Sequence, residues 1–170
     1  MADPTTASLI ARLDAVEARL AAHAEAERPG LTRADEGTGE RWEAGQVWAH
    51  LAEFPAYWVG QIRAILAARA AGEPEPIPFG RTRADPGRTA AIEARRRDDP
   101  PALLRDVRAG IGAAATLCRS LSNEEWQASG AHPTVGAMAL PAIVERMVVI
   151  HLEEHAAQLD ELAHPGPEAA

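Results

Sequence analysis

Apolar residues recur at intervals of three and four along most of this sequence, and this spacing constrains the fold more than any other feature. In the first stretch the recurring residues are Leu9, Leu13, Val16 and Leu20. Such spacing places the apolar side chains on one face of an amphipathic helix. Stretches of this kind predict long helices over about residues 5–27, 44–71, 100–121 and 140–163.

Proline and glycine mark the ends of these predicted helices. Pro29-Gly30 follows the first helix, and Pro165-Gly166 follows the last one. The connector at residues 72–80 is rich in proline, which cannot continue a regular helix. The long helices are therefore expected to be separate elements joined by turns and short connectors.

Shorter elements are predicted between the third and fourth long helices and before the third. Asp85-Pro86 predicts the start of a short helix that ends before Asp98, because aspartate and proline favour helix N-termini. The run Ser122-Asn-Glu-Glu125 has the capping-box pattern and predicts a single helical turn. Residues 130–136 are predicted to form a loop, and no segment indicates a strand. We therefore expect an all-α four-helix bundle that forms one domain over residues 1–170.

Three histidines lie on the inward faces of two predicted helices. His151 and His155 are one turn apart on the stripe that continues from Met147, and His50 shares a face with Phe54. Buried imidazoles are costly unless their nitrogens are satisfied, and imidazole suits zinc, nickel, copper and iron. We predict a divalent metal, zinc or else nickel, bound by His50, His151 and His155. Three protein ligands leave coordination positions open, as in catalytic sites.

Other interpretations of these residues remain open at the level of sequence. Inward histidines can instead pair with backbone carbonyls or carboxylates in a core. Glu53, one turn after His50, is either an acceptor that orients His50 or a surface residue. The run His151-Leu-Glu-Glu-His155 matches the H-x-x-E-H pattern of inverted zinc peptidases. Those enzymes need a third, distant carboxylate and a larger scaffold, so peptidase activity is not favoured.

The remaining histidines and the single cysteine are not assigned to the site. His23, His132 and His164 are expected to face solvent, with His132 near the mouth of the site. Cys118 is expected to be a small core residue rather than a nucleophile. One cysteine excludes an internal disulfide and a four-cysteine zinc site, and it fits a reducing compartment.

The charge of the chain argues against nucleic acid as a partner. The formal net charge is −8, and the basic run Arg95-Arg96-Arg97 lies among acidic residues. Phosphate binding needs clustered positive charge. No stretch has the pattern of a secretion signal or of a membrane span. We expect a cytoplasmic protein with neither nucleic acid nor a membrane as its partner.

Three segments together resemble the DinB-like superfamily, which includes DinB/YfiT-like metal-binding proteins, thiol-dependent S-transferases and maleylpyruvate isomerases. They are residues 41–53 around His50, the loop at residues 132–138, and the run His151-Leu-Glu-Glu-His155-Ala-Ala-Gln-Leu159. The resemblance implies a four-helix bundle in which His50, His151 and His155 hold the metal. It also implies a homodimer.

The activity that the resemblance implies is transfer of a small thiol. The metal is expected to activate the sulfur of mycothiol, bacillithiol or glutathione for attack on a small electrophile. No further catalytic or substrate-binding residue is assigned. Two alternatives remain open: a metal-dependent hydrolase that activates water at the same site, and a non-catalytic stress or interaction bundle that the metal stabilises.

Overall fold

The computed structural model describes residues 4–26 and 29–163. Most of this part of the chain is helical, and the predicted four long helices are confirmed. Glu27, which the sequence placed at the end of the first helix, lies outside the described residues, as do His164, Pro165 and Gly166. The first helix itself ends earlier than predicted, at His23. The helices are α1 (Pro4–His23), α2 (Ala44–Ala70), α3 (Pro86–Arg95), α4 (Pro100–Ser120), α5 (Leu140–Val144) and α6 (His151–Ala163).

Local sequence explains where several of these helices begin. The Asp85 carboxylate accepts a hydrogen bond from the Arg88 backbone N–H, which caps α3 as predicted. Ser122 and Glu125 exchange capping hydrogen bonds, and the predicted single turn follows as a 3₁₀ helix at Glu125–Gln127. Pro100 and Pro101 occupy the first turn of α4, where the missing N–H costs nothing.

The arrangement of the long helices places α2 beside α6. α2 packs against α4 and α6, and α1 packs against the same two helices. α1 and α2 therefore occupy opposite corners of the bundle, although they follow one another in sequence. This order makes the helix that carries His50 a neighbour of the helix that carries His151 and His155.

A small three-stranded sheet packs against α2 and α5, so the expectation of a loop at residues 130–136 and of no strand is wrong, while the all-α four-helix bundle is confirmed. Strand β1 (Ile77–Pro78) pairs in parallel with β2 (Ser129–His132), which pairs antiparallel with β3 (Gly136–Ala139). The strands are two and four residues long and consist largely of small residues. Such short runs carry no alternating apolar pattern.

The last long helix is not uniformly α-helical. A π-helical segment, Glu145–Ile150, separates α5 from α6. Its wider turns let Met147, Val148 and Val149 all be buried in succession. π segments inside α-helices are frequent at functional sites, and this one ends directly before His151.

Ion pairs tie α1 to the last helix. Arg12 contacts Glu145 and Glu153, each at 2.6 Å. The His23 Nε2–H donates to Asp160 at 2.5 Å, and His23 is only 7% exposed. The expectation that His23 faces solvent is therefore wrong, because the carboxylate of α6 lets the imidazole be buried. Within the described residues, no helix is long and apolar enough to cross a membrane.

Candidate functional site

The three histidines predicted from the sequence come together between α2 and α6. One ligand nitrogen from each of His50, His151 and His155 lies within 4.8 Å of the other two. The Nε2 atoms of His50 and His151 are 3.2 Å apart. His50 and His155 are buried, and His151 is partly buried at the edge of the cavity described below.

The outward nitrogens of two of these rings face polar side chains. The Nδ1–H of His155 donates to Gln158 Oε1 at 2.7 Å, which leaves Nε2 as the free nitrogen of that ring. The Nδ1 of His50 lies 3.7 Å from Glu53 Oε2, and it has no hydrogen-bond partner among the described residues. Glu53 is itself held by Arg81, whose Nη2 donates to both carboxylate oxygens at 2.5 and 2.6 Å. Glu53 therefore faces the site rather than bulk solvent.

Two aromatic rings enclose the histidines. Phe54 stacks on His151 with ring centroids 4.2 Å apart. Trp42 lies parallel to His155 at 5.8 Å and edge-on to His50 at 5.4 Å. These contacts fix the planes of the imidazoles and keep water from their faces, so the three nitrogens are held in place by packing.

The electrostatic setting keeps the imidazoles neutral. Burial is the largest cause that lowers the pKa of His155 to about 4, and Arg88 and Arg83 act in the same direction. Burial also lowers the pKa values of His50 and His151 well below the usual histidine value, as does the proximity of His155. Metal ligands must be deprotonated, so neutral imidazoles at neutral pH fit a divalent cation. The donor set, the converging nitrogens and the unsatisfied Nδ1 of His50 all agree with such a group.

The histidines line a cavity of about 1270 Å³. That volume exceeds the range of about 300–1,000 Å³ typical of small-molecule sites, so two small substrates can be accommodated together. One wall is the loop at residues 32–42. The Thr32 N–H donates to the Trp42 carbonyl at 2.8 Å and the Trp42 N–H donates to Thr32 Oγ1 at 2.9 Å, which closes the loop. Asp35 in this loop accepts from Arg83 at 3.0 Å, which links the loop to the segment before α3.

The β-hairpin contributes another wall of the cavity through His132. This residue is 8% exposed, so the expectation that it faces solvent is wrong, although it does lie in the wall of the site. Its Nε2–H donates to the Arg81 carbonyl at 3.1 Å, and its Nδ1 accepts from the Thr134 N–H at 3.3 Å. Both nitrogens are thus engaged, and the ring joins the hairpin to the connector after α2.

The structure adds residues to the site that sequence reasoning did not assign. Gln158 follows His155 by three positions on one helix, and that spacing is a signal that could have identified it. Trp42 reaches the site from a loop and Arg88 reaches it from α3, so no local sequence pattern predicts that they belong to the site. Cys118 is buried in α4, and burial raises the pKa of its thiol to about 11, in agreement with a core role.

Comparison with solved structures identifies the fold. YfiT from Bacillus subtilis, described as "a probable metal-dependent hydrolase with an unusual four-helix bundle topology", is 22% identical to this chain, with a TM-score of 0.70. The match covers 96% of this chain and 88% of that one. The chain has the DinB/YfiT-like fold. At this identity the likeness establishes the fold, and the chemistry has to be argued from the residues.

Two further structures share this fold. The mycothiol-dependent maleylpyruvate isomerase has a TM-score of 0.63 and 14% identity, over 91% of this chain and 60% of that chain. This chain therefore spans less than two thirds of the isomerase. The colibactin self-resistance protein ClbS, solved in complex with a dsDNA, has a TM-score of 0.61 and 15% identity, over 95% and 98% of the two chains. No protein-family model and no curated protein matches the sequence.

Proposed function

We propose that this protein binds a divalent metal through His50, His151 and His155 and transfers a small thiol to an electrophile. The observation that carries the proposal is the convergence of three neutral imidazole nitrogens within 4.8 Å at the edge of a large open cavity. The mycothiol-dependent isomerase with the same fold supports a thiol as cosubstrate. Mycothiol, bacillithiol and glutathione are the candidate thiols.

The residues around the proposed ligands have separate roles. Gln158 fixes the His155 tautomer so that Nε2 is free to bind, and Glu53 faces the Nδ1–H that His50 carries when its Nε2 binds. Phe54 and Trp42 exclude water from the imidazole faces. When bound, the ion supplies the Lewis acidity that lowers the pKa of a thiol or of water.

The nature of the ion and the assembly are parts of the same proposal. Three imidazoles suit zinc, with nickel as the alternative, because borderline cations prefer nitrogen donors. We propose zinc and a homodimer. Elemental mass spectrometry of the purified protein tests the identity of the metal. Light scattering coupled to size-exclusion chromatography tests the dimer.

A metal-dependent hydrolase is the second candidate. The observation that favours it is the description of YfiT, which resembles this chain with a TM-score of 0.70. The same open cavity and the aromatic rings beside the histidines serve either reaction. The two candidates differ in whether activity requires an added thiol.

Conjugation assays separate these candidates. Metal-loaded protein is supplied with a chlorodinitroarene and each of the three thiols, and separately with a panel of esters and amides. We expect thiol-dependent conjugation that is lost in His151→Ala and kept in Cys118→Ala, because Cys118 is packed in the core. Hydrolysis that needs no thiol, without any conjugation, would favour the metal-dependent hydrolase over the thiol transferase. Metal-dependent stability with neither activity would favour a non-catalytic bundle.

A further inference from the structure

Arg88 is placed in the wall of the cavity, close to the three histidines. It lies in the first turn of α3 and is half-buried. Its guanidinium carbon is 5.2 Å from the centre of the Trp42 ring, and Trp42 in turn lies parallel to His155. The nearest hydrogen-bond acceptor of Arg88 is the Arg83 carbonyl, at 3.4 Å from Nη1.

The other arginines that line the cavity are already satisfied. Arg81 is paired with Glu53, and Arg83 is paired with Asp35. Arg146 is exposed, so water solvates it. Across the part of the chain that the structure describes, no carboxylate oxygen lies within ion-pair distance of Arg88. Arg88 thus differs from its neighbours in being both half-buried and unpaired.

An unpaired and half-buried guanidinium is unfavourable unless an anion completes it. Burial lowers the pKa of Arg88 from the usual arginine value, and the more distant Glu40 only partly opposes this effect. The group stays cationic at neutral pH because arginine titrates so far above it. It therefore keeps a positive charge and free N–H donors beside the cavity, in a chain whose net charge is −8.

We propose that Arg88 is the carboxylate-binding arm of this cavity, and that one of the two substrates carries a carboxylate. A guanidinium presents a planar fork of donors that matches a carboxylate in two parallel hydrogen bonds. The inference rests on the proposed function only in taking this cavity as the place where the substrates meet. The carboxylate belongs either to the electrophile or to the thiol, and the two sources are separable by experiment.

The test uses pairs of probes that differ by the carboxylate. The electrophile pair is 4-chloro-3-nitrobenzoate and 4-chloro-3-nitrobenzamide, and the thiol pair is N-acetylcysteine and N-acetylcysteamine. Calorimetric titration into the metal-loaded protein gives the affinity for each probe. We expect one pair to show a preference for the carboxylate of about tenfold or more, as hydrogen bonds to a charged group allow.

Matched variants assign that preference to a residue. Arg88→Gln is expected to abolish it, and Arg88→Lys to retain part of it because the charge stays while the fork is lost. Arg105→Gln removes the same charge from an exposed arginine of α4 that lies outside the cavity lining, and it should leave the preference unchanged. Thermal melts of each variant establish that it is folded.

The outcomes distinguish this inference from its alternatives. The carboxylate-binding role of Arg88 is overturned if neither pair of probes shows a preference for the carboxylate. It is also overturned if Arg88→Gln leaves such a preference intact, because the metal alone then holds the carboxylate. A purely structural contact between Arg88 and Trp42 predicts that Arg88→Gln lowers the melting temperature and weakens both members of a pair equally. If carboxylate binding depends on Arg88 but no thiol is transferred, the inference stands and the proposed thiol chemistry fails.

Discussion

Single residues decide whether the proposed ligands are oriented for a metal. His155 has a hydrogen-bonded outer nitrogen, whereas the outer nitrogen of His50 faces Glu53 across 3.7 Å. Such outer contacts set the tautomer and tune the basicity of a ligating imidazole. Two kinds of substitution therefore test the site. One replaces a proposed ligand, and the other replaces the side chain that contacts the outer nitrogen of a ligand.

Replacing a proposed ligand should remove the metal. His50→Ala and His155→Ala are each expected to purify with little bound metal, because a site with three protein ligands has no spare donor. His23→Ala is the matched control, since His23 is buried too but pairs with Asp160. Elemental mass spectrometry measures the metal per chain. Equal metal content in all three variants would contradict the assignment.

Glu53 should affect metal affinity without being a ligand. Glu53→Gln is expected to weaken metal binding by about 10–100-fold, the usual effect of losing a partner of a ligating histidine. Competition with a chromophoric chelator measures the affinity. Glu73→Gln, an exposed glutamate of the connector after α2, is the control. An affinity unchanged in Glu53→Gln would mean that the 3.7 Å separation persists when metal is bound.

Acid should destabilise the metal-free protein in a defined window. The pKa of His155 is lowered by burial from 6.5 to about 4, so the unfolded chain binds a proton at a higher pH than the folded chain does. The contribution of His155 to the free energy of unfolding is fully present above pH 6.5. It is lost as the pH falls towards 4, and the loss amounts to up to about 3 kcal/mol. Denaturant melts of chelator-treated protein across this range measure the loss. His155→Gln should reduce the slope of stability against pH, with the remainder due to His50 and His151. Equal slopes in both proteins would refute the contribution of His155.

Spacing along the helices predicts that the three histidines face inward, and the family resemblance predicts that they share one site; neither predicts the residues that surround them. His50, His151 and His155 follow the apolar stripes, so their inward direction is a local property. The partners Trp42 and Arg88 approach from segments whose paths depend on tertiary packing. The burial of His23 has no local signal, because it depends on Asp160, which is 137 positions away in sequence.

Some secondary-structure elements can be predicted from local sequence, and others cannot. The long helices are predictable because each repeats its apolar pattern over several turns. The strands are not, because β1 pairs with β2 through contacts such as Ile77 with Gly130, far apart in sequence. The π segment Glu145–Ile150 also has no sequence pattern that separates it from an α-helix.

The close contact between α2 and α4 predicts how stability responds to a substitution of Gly110. A Cβ atom on Gly110 would lie 2.7 Å from the Cβ of Pro55, so Gly110→Ala must push the helices apart. We expect a loss of about 1–2 kcal/mol, since overpacking outweighs the better helix propensity of alanine. Gly112→Ala, two positions later with open space around it, should instead gain up to about 1 kcal/mol. Chemical denaturation measures both, and equal effects would argue against this contact.

At the scale of the whole molecule, the negative net charge of this chain predicts that it does not share the DNA binding of ClbS. ClbS has the same fold and was solved with a dsDNA. This chain has a formal net charge of −8, and two of the four arginines around its cavity are paired with carboxylates. Binding to the phosphate backbone requires several free cations clustered on one surface.

We therefore predict no binding to duplex DNA at physiological salt. Fluorescence anisotropy of a labelled duplex, titrated with micromolar protein at about 0.15 M ionic strength, should show no saturable change. A repeat at lower salt serves as the control for weak, non-specific attraction. Saturable binding that weakens steeply with added salt would show that the local arrangement of arginines outweighs the net charge.

The division of the site between helices and connectors has an evolutionary consequence. The three histidines stand on α2 and α6, whereas the loop at residues 32–42, the segment before α3 and the β-hairpin supply about half of the cavity lining. Connectors tolerate substitution, insertion and deletion far better than packed helices do. The part of substrate preference that the connectors determine can therefore change separately from metal binding. New specificities can arise in this scaffold through changes in the connectors, while the ligand-bearing helices stay as they are.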